Sequence, residues 1–229
     1  LESIEKNIGA LARKAKSGDK DASRQHEVFE AAKNHLEAGN SIRSLEVDKE
    51  KMALLDELQL LTAKPVLYLC NVDEASVKDG NSYVEAVREA VKDEDAEVLI
   101  LGAAIEADIN ELDTYEERQM FLEDLGLEEP GVSKLISSAY KLLKLQTYFT
   151  AGVKEVRAWT INLGMTAPQA AGVIHTDFEK GFIRAEVIHY NDFVEFGSEA
   201  KCKEVGKLNI EGKEYVPEDG DVMHFRFNV

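Results

Sequence analysis

The chain has 229 residues, 44% of them hydrophobic and 31% charged, which is long enough for two compact units with real cores. A formal net charge of −17 argues against wrapping nucleic acid over the whole surface, and DNA is not expected as a partner. No apolar run approaches the ~20 residues of a membrane span and no signal-peptide pattern opens the chain, so no membrane contact is expected.

In the first segment, Leu1, Ile4, Ile8, Leu11 and Ala15 recur at spacings of three and four, the seam of a coiled coil. Ser17-Gly18-Asp19 then breaks the pattern, with Gly18 suited to close one helix and Asp19 to cap the next. Val28, Phe29, Ala32 and Leu36 share one face of a second helix ending near Gly39, so residues 1–43 read as an antiparallel helical hairpin. Arg13, Lys14, Lys16, Lys20 and Arg24 cluster around its turn. They form either a solvated helix end or an electropositive tip that touches RNA phosphates. Leu54, Leu55, Leu58 and Leu61 then mark a further helix.

The short apolar run Pro65–Cys70 reads as a buried parallel strand that stops at Asn71-Val72-Asp73-Glu74. Ligands of open α/β sheets sit at this end of the strands. An Asn and a carboxylate three residues apart is the arrangement with which small GTPases read the base, written there as N-K-x-D. Here Val72 stands at the Lys position and Glu74 at the Asp position. Guanine offers two adjacent donors that an Asp accepts together, and Glu displaces its oxygens by ~1.5 Å. A donor left unpaired costs ~1–3 kcal/mol, so guanine preference is eroded by roughly 10–100-fold. The plainer alternative is that Asn71 and Glu74 only begin a loop. Glu97–Leu101 is a second short strand, ending at Gly102-Ala103-Ala104-Ile105-Glu106, where small residues let backbone N–H groups approach a base. Two such loops in this order, one helix apart, favour the base-reading alternative.

Ser82-x-x-Glu85 and Thr114-x-x-Glu117 are capping-box patterns that open amphipathic helices. Leu135, Ile136, Ala139, Leu142 and Leu143 mark another helix running to about Leu145. Strand alternating with helix points to part of a parallel sheet with covering helices. Residues 65–145 carry 7 basic and 19 acidic side chains, whereas residues 1–64 carry 11 and 12. Beyond Leu145 the pattern changes to short strands: Val156–Ile161, Phe182–Ile188, and Met223–Val229 with one buried face. Thr166 and Pro168 can start one short helix. A small mixed sheet crossed by one helix suggests a β-grasp module.

No catalytic residue and no metal cluster is assigned. His175-Thr176-Asp177 reads as a helix cap or packing group, and the remaining histidines lack ligand spacing. Cys70, in a strand, and Cys202, in a charged loop, indicate a reducing compartment rather than a disulfide.

Taken together, Asn71 and Glu74, the run Leu145–Gly152, Trp159, the run His175–Phe182 and the ending Asp219–Phe227 resemble the YchF-type Obg-like ATPases, a branch of the P-loop NTPases. The resemblance covers essentially the whole chain. It implies an α/β fold: a partial P-loop NTPase sheet (44–145) with an inserted helical hairpin (1–43) and a C-terminal β-grasp TGS domain (146–229). It also implies an N-x-x-E base-reading motif, ATP preferred over GTP, and Asn71, Val72, Glu74, Ala103, Ala104 and Ile105 around the nucleotide. A ribosome or ribosomal RNA is the implied partner, and the cytoplasm the implied location. No G-x-x-x-x-G-K-[ST] and no D-x-x-G occurs in these residues. The phosphate loop and the Mg2+ ligands are therefore expected upstream of Leu1, and the chain by itself is expected not to hydrolyse ATP. The competing reading is a nucleotide-independent adaptor that binds RNA or the ribosome.

Overall fold

The apolar seams at the start of the chain wind into α1 (Glu2–Lys16) and α2 (Lys20–Glu37). The computed structural model describes residues 1–94, 96–152 and 155–228, which fall into two compact units, Leu1–Gly131 and Val132–Val229. Gly18 takes φ +92°, a left-handed conformation that suits a residue without Cβ. Asp19 Oδ1 accepts the N–H groups of Asp21 and Ala22, both at 3.0 Å, and so starts α2. Lys33 Nζ lies 3.6 Å from Glu5 Oε1, which makes the two helices antiparallel. Ile4, Val28, Phe29 and Ala32 form a shared core with Ile42, Leu55 and Leu60. Burying each of the larger side chains contributes ~1.5–3 kcal/mol.

The helix expected through Leu61 is shorter. α3 (Lys49–Asp56) carries Leu54 and Leu55, while Leu58 and Leu61 lie beyond it. Gln59 at φ +49° interrupts the helical path, and Leu61 is left 81% exposed.

β1 (Leu67–Asn71) and β2 (Glu97–Leu101) pair in parallel, from Leu67 opposite Glu97 to Asn71 opposite Leu101. β1 starts two residues after Pro65, a residue that cannot donate to a ladder. It is half-buried rather than fully buried, with Leu69 at 43% exposure, because the described sheet of this unit has two strands. Between the strands lies α4 (Ser82–Ala90). Its cap is Asn81, not Ser82: Asn81 Oδ1 accepts from Tyr83 N at 3.0 Å and Val84 N at 3.2 Å. Asn is as good a cap as Ser and stands one residue earlier. α5 (Ala103–Glu111) and α6 (Tyr115–Asp124) follow, and Thr114 and Glu117 close the expected capping box. Ile105, Ile109 and Leu122 pack together beneath them.

In the second unit α7 (Gly131–Leu142) stops three residues before Leu145, where Lys144 at φ +54° turns the chain into a strand. That strand, β3 (Leu145–Ala151), is one the sequence pattern does not isolate. β4 (Val156–Asn162), α8 (Ala167–Ile174), α9 (Thr176–Lys180) and β5 (Phe182–Ile188) follow. After them come α10 (Tyr190–Phe196), α11 (Glu199–Glu204), β6 (Asn209–Glu211) and β7 (Val222–Phe227). The mixed five-stranded sheet has the order β4-β3-β7-β5-β6, parallel between β3 and β7 and antiparallel elsewhere. Instead of one helix, the described residues form four after β4. Cys202 lies fully buried in α11, not in a charged loop.

α8 meets the sheet through Ala167, Ala170 and Ala171, whose small side chains let the helix approach closely. Tyr148, fully buried on β3, donates its hydroxyl to Ala170 O at 2.9 Å, and burial pushes the phenol well above its ordinary range. Gly181 is fixed by a close approach: a Cβ there would sit 2.1 Å from Asn228 O. His175 is a cap as expected, its Nδ1 accepting Asp177 N at 3.2 Å.

Asp221, 1% exposed, ties the last loop to this sheet. Its carboxylate accepts the Tyr215 hydroxyl at 2.6 Å and Glu218 N at 2.9 Å, and lies 2.8 Å from His189 Nδ1. The hydrogen bond to Asp221 raises the His189 pKa above the ordinary imidazole value. A folded-state pKa raised above the unfolded one adds stability that is complete below about pH 6.5 and is lost as pH rises through the folded value. The stability gap between the native chain and His189→Gln, measured by urea unfolding, is therefore wider at pH 5.5 than at pH 8.5. Asp221→Ala, which strands three partners, costs about 3 kcal/mol or more. A pH-independent gap would refute the assignment of His189.

Candidate functional site

The parallel register of β1 and β2 brings two loops to one sheet edge. Asn71, the last residue of β1, faces Leu101, the last of β2, and Val72 N donates to Leu101 O at 2.9 Å. Asn71 then reaches across: its Oδ1 accepts Ala103 N at 2.9 Å. This bond orients the side-chain amide. With Oδ1 occupied by a donor, Nδ2 is the group left to meet an acceptor.

Gly102 caps α5 without a side-chain hydrogen bond, and Ala103 and Ala104 are exposed in its first turn. The N–H groups of Ala104 and Ile105 belong to the first-turn donors that no intrahelical carbonyl satisfies, at the positive end of the helix dipole. The Ile105 side chain does not share this surface. It is 3% exposed and packs with Ile109 and Leu122, so it anchors the loop and offers only its backbone to the site. Gly102 is packed tightly as well, since a Cβ would stand 3.1 Å from Ile105 Cδ1. Glu74 begins a short 3-10 turn, Glu74–Ser76, and is exposed. Glu106 holds the loop from behind, its Oε1 accepting Gly131 N at 2.6 Å.

The basic hairpin tip is a separate surface. Arg13, Lys14, Lys16 and Lys20 are exposed around the turn. Arg24 pairs with Glu50 at the start of α3, so its charge is partly committed within the fold. No group of three or more His, Cys, Asp or Glu able to hold a metal occurs among the described residues.

The Asn71–Ala103 bond was not legible in the motif itself. Only the pairing of the two strands reveals it. The Asp221 network was also missed, although Asp219-Gly220-Asp221 carried the signal of a turn built on carboxylates.

A family model described as YchF-GTPase_C, a protein of unknown function (DUF933), matches residues 145–228. A Pasteurella multocida protein named ribosome-binding ATPase YchF is 53% identical over 229 residues, which is all of this chain and 62% of the relative. The Bacillus subtilis protein of the same name is 50% identical over 231 residues, 63% of its length. The structure of the Schizosaccharomyces pombe YchF GTPase superposes with a TM-score of 0.84 at 34% identity, covering 98% of this chain and 61% of that one. Over its whole length the chain shows strong homology to YchF proteins. It spans about 62% of the length of the curated YchF relatives it matches. A GTP binding protein from Pyrococcus horikoshii, at 16% identity and a TM-score of 0.51, shares the α/β fold alone.

The geometry of this loop pair makes one expectation direct. Asn71→Ala removes the acceptor of Ala103 N, so exchange of the Ala103 amide accelerates, at a stability cost of about 1 kcal/mol or less because the bond is exposed. Asn71→Asp keeps an acceptor there and leaves the Ala103 amide protected. Equal acceleration in both variants, read by hydrogen-exchange NMR, would show that the bond does not order the loop.

Proposed function

We propose that the whole protein to which these residues belong is a ribosome-associated, nucleotide-hydrolysing switch that prefers ATP, and that this chain supplies its base-reading edge. The observation that carries the reading is the Asn71 Oδ1 to Ala103 N bond at 2.9 Å, which commits Nδ2 to an acceptor such as purine N7. Val72 and Ala104 line the base plane, and backbone groups meet the Watson–Crick edge. Adenine presents an acceptor at N1 and a donor at N6, so the first-turn donors of α5 fit N1. An ionised Glu74 fits the donors of guanine less well than an Asp would, because its oxygens are displaced.

Residues 1–43 act as a helical hairpin arm, 44–145 as the base-reading part of the nucleotide domain, and 146–229 as a β-grasp TGS module. The phosphate loop and the Mg2+ ligands lie outside these residues. The curated relatives are named ATPases, whereas the S. pombe structure is titled a GTPase, so base choice is the property to measure. In the whole protein, Glu74→Asp combined with Val72→Lys raises GTP affinity relative to ATP by roughly 10–100-fold, since it restores a bidentate acceptor for guanine. Calorimetric titration of both nucleotides reads the ratio. An unchanged ratio would place selection in the backbone contacts instead.

Ribosome attachment follows from the hairpin tip. Four exposed cations, Arg13, Lys14, Lys16 and Lys20, contact RNA phosphates, while the TGS sheet adds a weaker contact. Four phosphate contacts give a slope of roughly −2.8 to −3.6 for log K against log[salt]. Reversing Lys14, Lys16 and Lys20 to Glu flattens that slope and weakens ribosome co-sedimentation, with nucleotide affinity retained. Ribosome binding that depends on this tip but not on nucleotide would favour the adaptor reading.

A further inference from the structure

Among the described residues no strand pairs with the outer edge of the five-stranded sheet; the Tyr140 hydroxyl of α7, 3.0 Å from Thr160 Oγ1, touches a side chain there and not the backbone. β4 is the terminal strand in the order β4-β3-β7-β5-β6, and its seven residues, VRAWTIN, contain no Pro, no Gly and one charge, Arg157. Two bonds fix which backbone groups face outward. Leu163 N donates to Lys144 O at 2.7 Å and Gly152 N to Glu155 O at 2.9 Å, one beyond each end of the ladder with β3. In an antiparallel pair, bonded residues alternate. The odd-numbered residues from 155 to 163 therefore bond inward to β3, and the N–H and C=O groups of Val156, Ala158 and Thr160 point away from the sheet. All three residues are exposed, with Val156 at 72%. An edge this long, without a proline or a bulge to blunt it, is a template for another strand.

A second observation lies directly under that edge. Trp159, on the α8 side of β4, forms the near wall of a groove of about 640 Å3 whose apolar lining includes Ile174, Phe178, Met223 and Phe227, with Glu155 and His224 at its polar margin. Phe178 and Phe227 stack at 3.8 Å between centroids, and Trp159 is held upright by its Nε1–H bond to Thr150 Oγ1 at 2.9 Å. The Arg157 guanidinium lies 4.1 Å over the Trp159 ring, which places the strand's only charge at the mouth.

We propose that β4 is a docking edge for an extended peptide segment of a partner protein, which adds as a sixth strand, sets a large apolar side chain into the groove beside Trp159, and presents a carboxylate to Arg157. Free backbone donors and acceptors at strand spacing are matched by another peptide backbone and by no nucleic acid, and side chains alternating along the added strand point one set towards the groove. The edge selects the class of partner, and the groove with Arg157 selects the sequence. This surface is distinct from the base-reading loops and from the hairpin tip.

The test uses the full chain and a capped ten-residue peptide that alternates threonine with large apolar residues and carries one glutamate. NMR amide exchange on the native chain reads the edge: peptide addition slows exchange at Ala158 and Thr160 at least severalfold and leaves β5 and β6 unchanged. Ala158→Pro deletes an outward N–H that the native ladder does not use, so the fold survives while peptide affinity falls about tenfold. Trp159→Leu, which keeps the edge and alters the groove wall, lowers affinity for the peptide with a phenylalanine anchor more than for one with alanine there. Arg157→Glu reverses the preference for the glutamate peptide over its lysine counterpart. The proposal is overturned if the two amides are not slowed, if affinity is the same in Ala158→Pro, or if oligouridine protects the same amides as well as the peptide does. Protection that grows with protein concentration in the absence of peptide would overturn it in favour of a second copy of the chain.

Discussion

The parallel pairing of β1 with β2 is the constraint on which the candidate site depends. Because side chains alternate across a strand, a slip of one residue would turn Asn71 to the other face and take Ala103 N out of its reach. The register is held by side chains turned away from the exposed loop surface: Ile105 and Ile109 in the core below, and Glu106 bonded to Gly131 N behind the loop. The pair is short and only half-buried, so its alignment rests on these flanking contacts more than on its own hydrophobic content. A rigid support of this kind gives precision to a site built on loops.

The second unit solves a different problem. Its sheet brings chain ends together over long separations, and the loop before β7 has no regular structure of its own. Asp221 supplies the organisation by gathering a phenol, an imidazole and a backbone N–H around one buried carboxylate. Gln146 Nε2 adds a bond to Pro217 O at 2.8 Å, and Thr147 N one to Asp219 Oδ1 at 2.7 Å, so β3 reads the loop along its length. A carboxylate with this many donors tolerates burial, whereas any one partner alone would not offset its desolvation.

Elements with a strong period were legible in the sequence, and elements defined by tertiary contact were not. The hairpin, β2, β5 and the Thr114 cap follow from local pattern, since amphipathic spacing and capping chemistry act within a few residues. β3 was hidden because Leu145–Ala151 mixes Gln, Thr and Tyr on both faces: its buried Gln146 is satisfied by Pro217, 71 residues away. In the sequence Cys202 looks like a loop residue because α11 has only six residues and strong charge, and its burial depends on packing that no local window contains. At the candidate site, residue types and order were legible, whereas the Asn71 to Ala103 bond and the turn of Ile105 into the core required the fold.

The charge distribution of the first unit also has a physical consequence. Its residues 65–131 carry 4 basic and 19 acidic side chains, a net of −15, which on its own would repel a polyanion. At physiological ionic strength the Debye length is ~8 Å. α1 has 15 residues, so its two end residues lie ~21 Å apart along the axis, more than two Debye lengths. Charges near the far end of the hairpin are thus judged by their own neighbours rather than by the acidic body. Those neighbours are mixed. Asp19 is spent on capping α2, Asp21 sits beside it, and Glu50 engages Arg24. Residues 13–24 still hold five basic side chains against two acidic ones, so a local positive field survives at the turn. Lowering the salt extends the reach of the acidic body towards the tip as it strengthens the tip's own attraction. The two effects oppose each other, so the positive field at the turn strengthens at low salt by less than the four exposed cations would give in isolation.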